Sequence, residues 1–206
     1  KGLYYYTKKF FHNILVVPQY RDGRILIHAV NDTLDQLDAQ IRVTAYALDG
    51  TKKGEMHMKA VLLPNSASIV GNIKPEELGI GYRSVVMPED AESTTFPVEK
   101  NGELMDTVLF VELVANGQSV KNYLVFDEFR NLELKEPNVS CIVKGSTIEL
   151  VSDRPAFGVF VEPQQDVELS DNCLILEPGI PCVVDASGEP GEVKVVDITQ
   201  MVAKLY

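Results

Sequence analysis

The sequence predicts an all-β protein, two β-sandwiches in tandem behind a short helical segment, and three observations carry that prediction. Most of the chain consists of short runs of Val, Ile, Leu, Thr and Tyr broken by turn dipeptides, the pattern of antiparallel sheets. Asp22-Gly23, Asp49-Gly50 and Asn116-Gly117 each separate two such runs; these dipeptides tolerate the left-handed backbone that a tight hairpin requires. A charged segment, DEFRNLELKEPNVS, closed by Pro137, then divides the runs into two sets.

The elements follow in order. The 206 residues open on KGLYYYTKKFFHN, which has no initiator Met and five aromatics among its first eleven residues. Leu3, Tyr6 and Phe10 recur at helical spacing, with Tyr4 and Phe11 seven apart beside them, so a helix here would have one apolar side while Lys8 and Lys9 stay wet. So short a helix is not stable alone, and residues 1–11 are expected to be the last turns of a larger element cut at Lys1. NILVVPQYR and RILIHAVND flank Asp22-Gly23 as a hairpin. AQIRVTAYAL alternates Ile41, Val43, Ala45 and Ala47 with Arg42, Thr44 and Tyr46, a strand with one wet face. GEMHMKAVLL returns after Asp49-Gly50 and Pro64 ends it. Residues 74–105, rich in Pro, Glu and Gly, read as loops with one further strand. MDTVLFVELVANGQSVKNYLVF is another hairpin, and SCIVKG, STIELVSD, AFGVFVE, CLILE, PCVVDA and EVKVVDI are the strands of a second sandwich. The expected domains are therefore 12–127 and 128–206.

The composition excludes several functions. A net charge of -11 and a pI near 4.7 argue against nucleic-acid binding, which requires clustered Lys and Arg. No apolar run reaches the eighteen residues of a membrane span, and no secretory signal opens the sequence. Cys141, Cys173 and Cys182 are too few and too scattered for a disulfide framework, and read as buried thiols on strands.

The motifs that carry chemistry are missing. Of the carboxylate pairs, Glu76-Glu77, Glu89-Asp90 and Asp127-Glu128 all fall in loop-like or linker-like sequence, where solvated faces are the expectation. His12, His28 and His57 lack metal-ligand spacing, nucleophile-elbow and phosphate-loop patterns are absent, and neither a catalytic residue nor a metal or cofactor site is expected. Asn31-Asp32-Thr33 and Asn138-Val139-Ser140 match the glycosylation triplet. The chain has no Trp, which weakens a sugar-stacking role; Tyr46, on a polar strand face, and Tyr82, in the long loop, are the candidate sugar contacts.

Several segments together resemble the β-mannosidases of glycoside hydrolase family two. YYYTKKFFHNILVVPQYRDGRILIHAVND is similar to the junction where the last helix of the catalytic barrel enters a sandwich strand ending in a V-N-D turn. NYLVFDEFRNLEL resembles the link to the final sandwich, and LVSDRPAFGVFVE, VELSDNCLILEPGIPCVV and VKVVDITQMV resemble that final domain. One departure is Cys173, where the family often has an aromatic after S-D-N. The resemblance covers the whole chain in order. It implies two immunoglobulin-like sandwiches forming the non-catalytic C-terminal region of a retaining exo-β-mannosidase that hydrolyses terminal β-D-mannose residues, with both catalytic glutamates on a barrel that precedes Lys1. Tyr4, Tyr5, Tyr6, Phe10 and Phe11 are then expected to face that barrel, β-mannosides to meet the full-length enzyme only, and a homodimer is possible. The parent is expected in a bacterial periplasm or outside the cell, or in a lysosome if eukaryotic. The rival expectations are a carbohydrate-binding sandwich module and a tandem immunoglobulin-like adhesin or scaffold.

Overall fold

The structure, a computed structural model, describes residues 2–81 and 102–203. The chain divides into two compact units. One comprises Asn13–Ala47 and Lys52–Leu132; the other comprises Lys1–His12, Leu48–Thr51 and Glu133–Tyr206.

Among the described residues, the first unit is a sandwich of seven strands. Strands β1 (Ile14–Arg21), β2 (Arg24–Asn31) and β5 (Ser66–Ile73) form one sheet in the order β1-β2-β5. Strands β3 (Leu37–Ala47), β4 (Lys52–Leu62), β6 (Thr107–Ala115) and β7 (Gln118–Val125) form the other, in the order β4-β3-β6-β7. All pairs are antiparallel. Alternation puts Ile14, Val16, Ile25 and Ile27 of the first sheet against Ile41, Val43, Leu109, Val111 and Leu113 of the second in one buried core. The β1–β2 hairpin turns through Asp22 and Gly23, both at positive φ (50° and 72°), and the β6–β7 hairpin through Asn116 and Gly117 (49° and 70°), as their sequences lead one to expect.

Two features of this unit depart from the sequence expectations. Strand β5 is not foreseen. Its sequence, SASIVGNI, is poor in bulky β-formers, and among the described residues it pairs with β2 alone, with a bulge between Ile27 and His28. Among the described residues of 74–105 the structure has a turn of 3-10 helix at Pro75–Leu78 and a short helix α2 at Gly102–Met105, numbered after the N-terminal helix α1 (Gly2–Phe10). The further strand expected between residues 82 and 101, and Tyr82 and Glu89-Asp90 with it, lies outside the described residues.

The second unit also holds two sheets. β8 (Val139–Lys144), β9 (Thr147–Ser152) and β12 (Cys182–Asp185) pair in the order β12-β9-β8, and β10 (Ala156–Pro163), β11 (Leu174–Leu176) and β13 (Val193–Val196) in the order β11-β10-β13. Ile148, Leu150, Val159, Val161, Leu174, Leu176 and Val184 form its core. Cys141 on β8 and Cys182 on β12 both pair with Leu150 on β9, so one strand stands between them. All three cysteines are thiols. Asn172 bridges to β10 with its side chain, donating to Val161 O at 2.8 Å and accepting from Val161 N at 2.9 Å. A last helix, α3 (Ile198–Ala203), is capped by Asp197, whose Oδ1 accepts from the Thr199 amide at 2.6 Å.

Helix α1 belongs to this second unit, and its lysines are not simply wet. Lys9 Nζ lies 3.0 Å from Asp171 Oδ2, and Lys8 Nζ donates to Ser170 O at 3.1 Å. The acidic 168–171 segment holds them there, an attraction that periodicity within the helix does not reveal.

Candidate functional site

Two surfaces carry the residues that could act on another molecule. The first is helix α1. Tyr4 and Phe10 are each 67% exposed and Phe11, just past the helix, is 82% exposed. Tyr5 is half-buried and meets Tyr4 edge to face, with ring centroids 5.2 Å apart. Burial, Tyr4, Asp171 and Glu168, in that order, push the Tyr5 hydroxyl above the usual tyrosine range. The lysines thus tie the helix down while these aromatics stand in solvent. The side chain of Tyr6 lies outside the described residues.

The second surface is the outer face of the four-stranded sheet. Register brings Arg42 on β3 between His57 on β4 and Glu112 on β6, and Glu112 opposite Lys121 on β7. Arg42 Nη2 donates to Glu112 Oε2 at 3.1 Å, and Arg42 Nη1 lies 3.7 Å from Glu55 Oε2. Glu55 also accepts from Lys52 Nζ at 2.9 Å, from Thr44 Oγ1 at 3.1 Å, and pairs with His57 Nε2 at 3.0 Å. The Lys52 and His57 contacts lead in lowering the Glu55 carboxyl to about 2. Burial alone would raise Glu112, but the Ser119 hydroxyl, the Lys121 charge and Arg42 together hold it below the usual carboxylate range. Opposite charges here satisfy one another across strands; both carboxylates are held ionised, so neither is poised as a general acid at neutral pH.

Tyr46 shares this face with Arg42 and Thr44 but is only 6% exposed, in edge-to-face contact with Phe110 at 5.9 Å. Sugar stacking needs an open ring face, and Tyr46 has none. The alternation of β3 is legible in sequence, whereas the burial of both faces at its C-terminal end is not: Thr44, Ala45, Tyr46 and Ala47 are all buried.

The remaining candidates are structural in their contacts. Glu77 accepts from the Lys74 amide at 2.6 Å, capping the 3-10 turn. Asp127 accepts from Asn131 Nδ2 and the Glu128 amide, contacts that pull its carboxyl down. His28 pairs with Gln19 at 3.2 Å. Among the described residues no group of three His, Cys, Asp or Glu is placed to hold a metal ion. An open depression lined by Glu162, Gln164, Glu192, Val193 and Lys194 contains an ion pair, Lys194 with Glu162 at 3.3 Å. No helix of the described residues is long and apolar enough to cross a membrane.

With this geometry the chain can be placed among known proteins. Residues 23–131 match the profile of the Mannosidase Ig/CBM-like domain, and residues 131–201 match that of an Ig-fold domain. Among curated proteins no sequence matches it. Of solved structures, a β-D-mannosidase from Dictyoglomus thermophilum superposes with a TM-score of 0.69 at 22% identity, over 96% of this chain and 23% of that one. The exo-chitosanase CsxA of Amycolatopsis orientalis gives 0.55 at 16% identity, over 94% of this chain and 27% of that one. The chain thus spans less than a third of the length of either relative. It is made of two immunoglobulin-like sandwiches, and by the match over more than half its length it belongs to the Mannosidase Ig/CBM-like domain family.

Proposed function

We propose that this chain is the non-catalytic C-terminal accessory region of a larger exo-acting β-mannosidase, whose full-length polypeptide removes terminal β-D-mannose residues. The observation that carries the reading is the family match over 23–131 followed directly by an Ig-fold match over 131–201, the order that the resemblance in the sequence leads one to expect. The likeness to a β-mannosidase along 96% of this chain but only 23% of the enzyme supports it. On this reading the exposed Tyr4, Phe10 and Phe11, with Tyr5 beside them, face the catalytic barrel of the same polypeptide, since exposed aromatic surface at this density marks an interaction site.

The test is made on the native gene product, captured from its source by antibody, weighed by mass spectrometry and assayed on a chromogenic β-mannoside. A polypeptide several times heavier than 22.8 kDa that cleaves the substrate, alongside a purified 206-residue chain that does not, is the expected result. A native product of about this size without activity, or turnover by the 206-residue chain itself, would overturn the reading.

A further inference from the structure

We propose that the tip of the β6–β7 hairpin is a site of self-modification: in the folded chain the side-chain amide of Asn116 closes onto the Gly117 nitrogen, loses ammonia and opens to aspartate and isoaspartate. Water is the co-reactant, and no enzyme takes part.

The chemistry needs a backbone nitrogen that can reach the Cγ of the residue before it. Bulk on the attacking residue is the first obstacle. Asn116 is followed by Gly117, whereas every other asparagine among the described residues precedes a residue with a side chain. Nothing lies within 4 Å of where a Gly117 Cβ would stand, so the turn has open space in which to swing into the attack geometry. Competing hydrogen bonds are the second obstacle. The ladder closes at Ala115 opposite Gln118, which leaves both central residues outside it. Among the described residues neither the Asn116 side chain nor the Gly117 amide has a hydrogen-bond partner, and both residues are exposed. Asn31, by contrast, is buried with its amide tied to backbone carbonyls.

The electrophile separates this turn from the other two. Asp22-Gly23 and Asp49-Gly50 carry carboxylates, ionised at neutral pH, and an anion resists attack by the backbone nitrogen. Asp22 also pairs with Arg21 at 3.4 Å. Asp49 accepts from the Thr51 amide at 2.8 Å, the contact that leads in holding its carboxyl below the usual range. The neutral amide of Asn116 has no such charge and no such tie.

The Gly117 nitrogen gives up its proton and bonds to Asn116 Cγ; the Cγ–Nδ2 bond breaks, and Nδ2 leaves with that proton as ammonia. Water then opens the cyclic imide. Opening at Cγ gives aspartate, and opening at the main-chain carbonyl gives isoaspartate, whose backbone runs through Cγ and is one CH2 longer. Either product adds a negative charge to a chain already at -11. The turn is built on positive φ at both residues (49° and 70°), and the longer link no longer fits it, so the isoaspartate form loosens the Gln118 end of β7, an edge strand.

The test holds the purified 206-residue chain at neutral and mildly alkaline pH, with its far-ultraviolet β signal showing it folded throughout. Digestion after glutamate separates Asn116 from Asn101, which also precedes a glycine but lies outside the described residues. Each peptide is weighed, then treated with protein-isoaspartate methyltransferase and a labelled methyl donor. The Asn116 peptide is expected to gain the mass of an amide turned into an acid and to take up label, faster as hydroxide rises. The Asn116→Gly chain, whose Gly-Gly turn keeps left-handed backbone, should take up none in that peptide. An Asn116 peptide that stays amide in the folded chain overturns the inference, whether or not unfolding in guanidinium lets it convert. Acid formed there without label overturns the imide route, and conversion confined to Asn101 overturns the site.

Discussion

Asn31 shows how much one side chain can hold in place. It is fully buried at the end of β2, and its Nδ2 reaches Asp35 O, Leu62 O and Leu63 O at 2.9, 3.3 and 3.1 Å, while Oδ1 accepts from the Thr33 amide and hydroxyl at 3.0 and 2.6 Å. The triplet Asn31-Asp32-Thr33 is thus a staple between the β2–β3 loop and the end of β4, closed to a glycan in the folded chain. The V-N-D turn is legible as a resemblance, but its reason is not, because two of the three carbonyls that Asn31 binds, those of Leu62 and Leu63, lie some thirty residues away. Asn31→Ala leaves those carbonyls unsatisfied and should cost roughly 2 kcal/mol, read as a lower urea midpoint. Glu55 gives a pH dependence. Its carboxyl is held near 2 in the fold against an ordinary value of about 4.3. A lowered folded value means the contribution is complete above about pH 4.3 and is lost as pH falls toward 2. Melts of Glu55→Gln against the parent should therefore differ at pH 7 and converge at pH 2.5.

At the scale of elements, the hairpins were the legible part, since a two-residue Asp-Gly or Asn-Gly turn between apolar runs is a local signal. Pro18 fits the same logic: β1 is an edge strand, where a missing amide costs no ladder bond. Strand β5 was illegible because its identity comes from β2, which it follows by more than thirty residues, and not from its own Ser, Ala, Gly and Asn. The 3-10 turn at Pro75–Leu78 is similarly set by a distant partner. An added Cβ on Gly54 of β4 would stand 2.5 Å from Leu78 O, and one on Gly79 2.6 Å from Lys53 O. Both contacts are to backbone, so neither neighbour can swing away. Gly54→Ala should lower stability by about 1–3 kcal/mol, the range of overpacking, and calorimetry of the two proteins would measure it. An unchanged midpoint would mean that the turn is free to lift from β4.

For the whole molecule, two cores, one in each unit, were foreseen from the alternation on either side of Pro137, because apolar periodicity is written residue by residue. The fate of surface aromatics was not. Tyr46 sits on the face its alternation assigns and is nonetheless buried, since what covers a face is a property of the assembled unit. The lysines of α1, which helical periodicity assigns to solvent, hold Ser170 and Asp171, again across a long stretch of chain. The register of the second unit has a consequence for how this protein can be handled. With β9 between them, Cys141 and Cys182 stand about 9–10 Å apart by ordinary strand spacing, beyond the roughly 4.4–6.8 Å that a disulfide spans. Burial pushes the Cys141 and Cys173 thiols up, which suppresses the reactive thiolate. Cys141 and Cys182 are only half-buried, whereas Cys173 is buried, so alkylation of Cys173 keeps time with the opening of the C-terminal sandwich, a built-in clock for its breathing that leaves the N-terminal sandwich, which has no cysteine, silent.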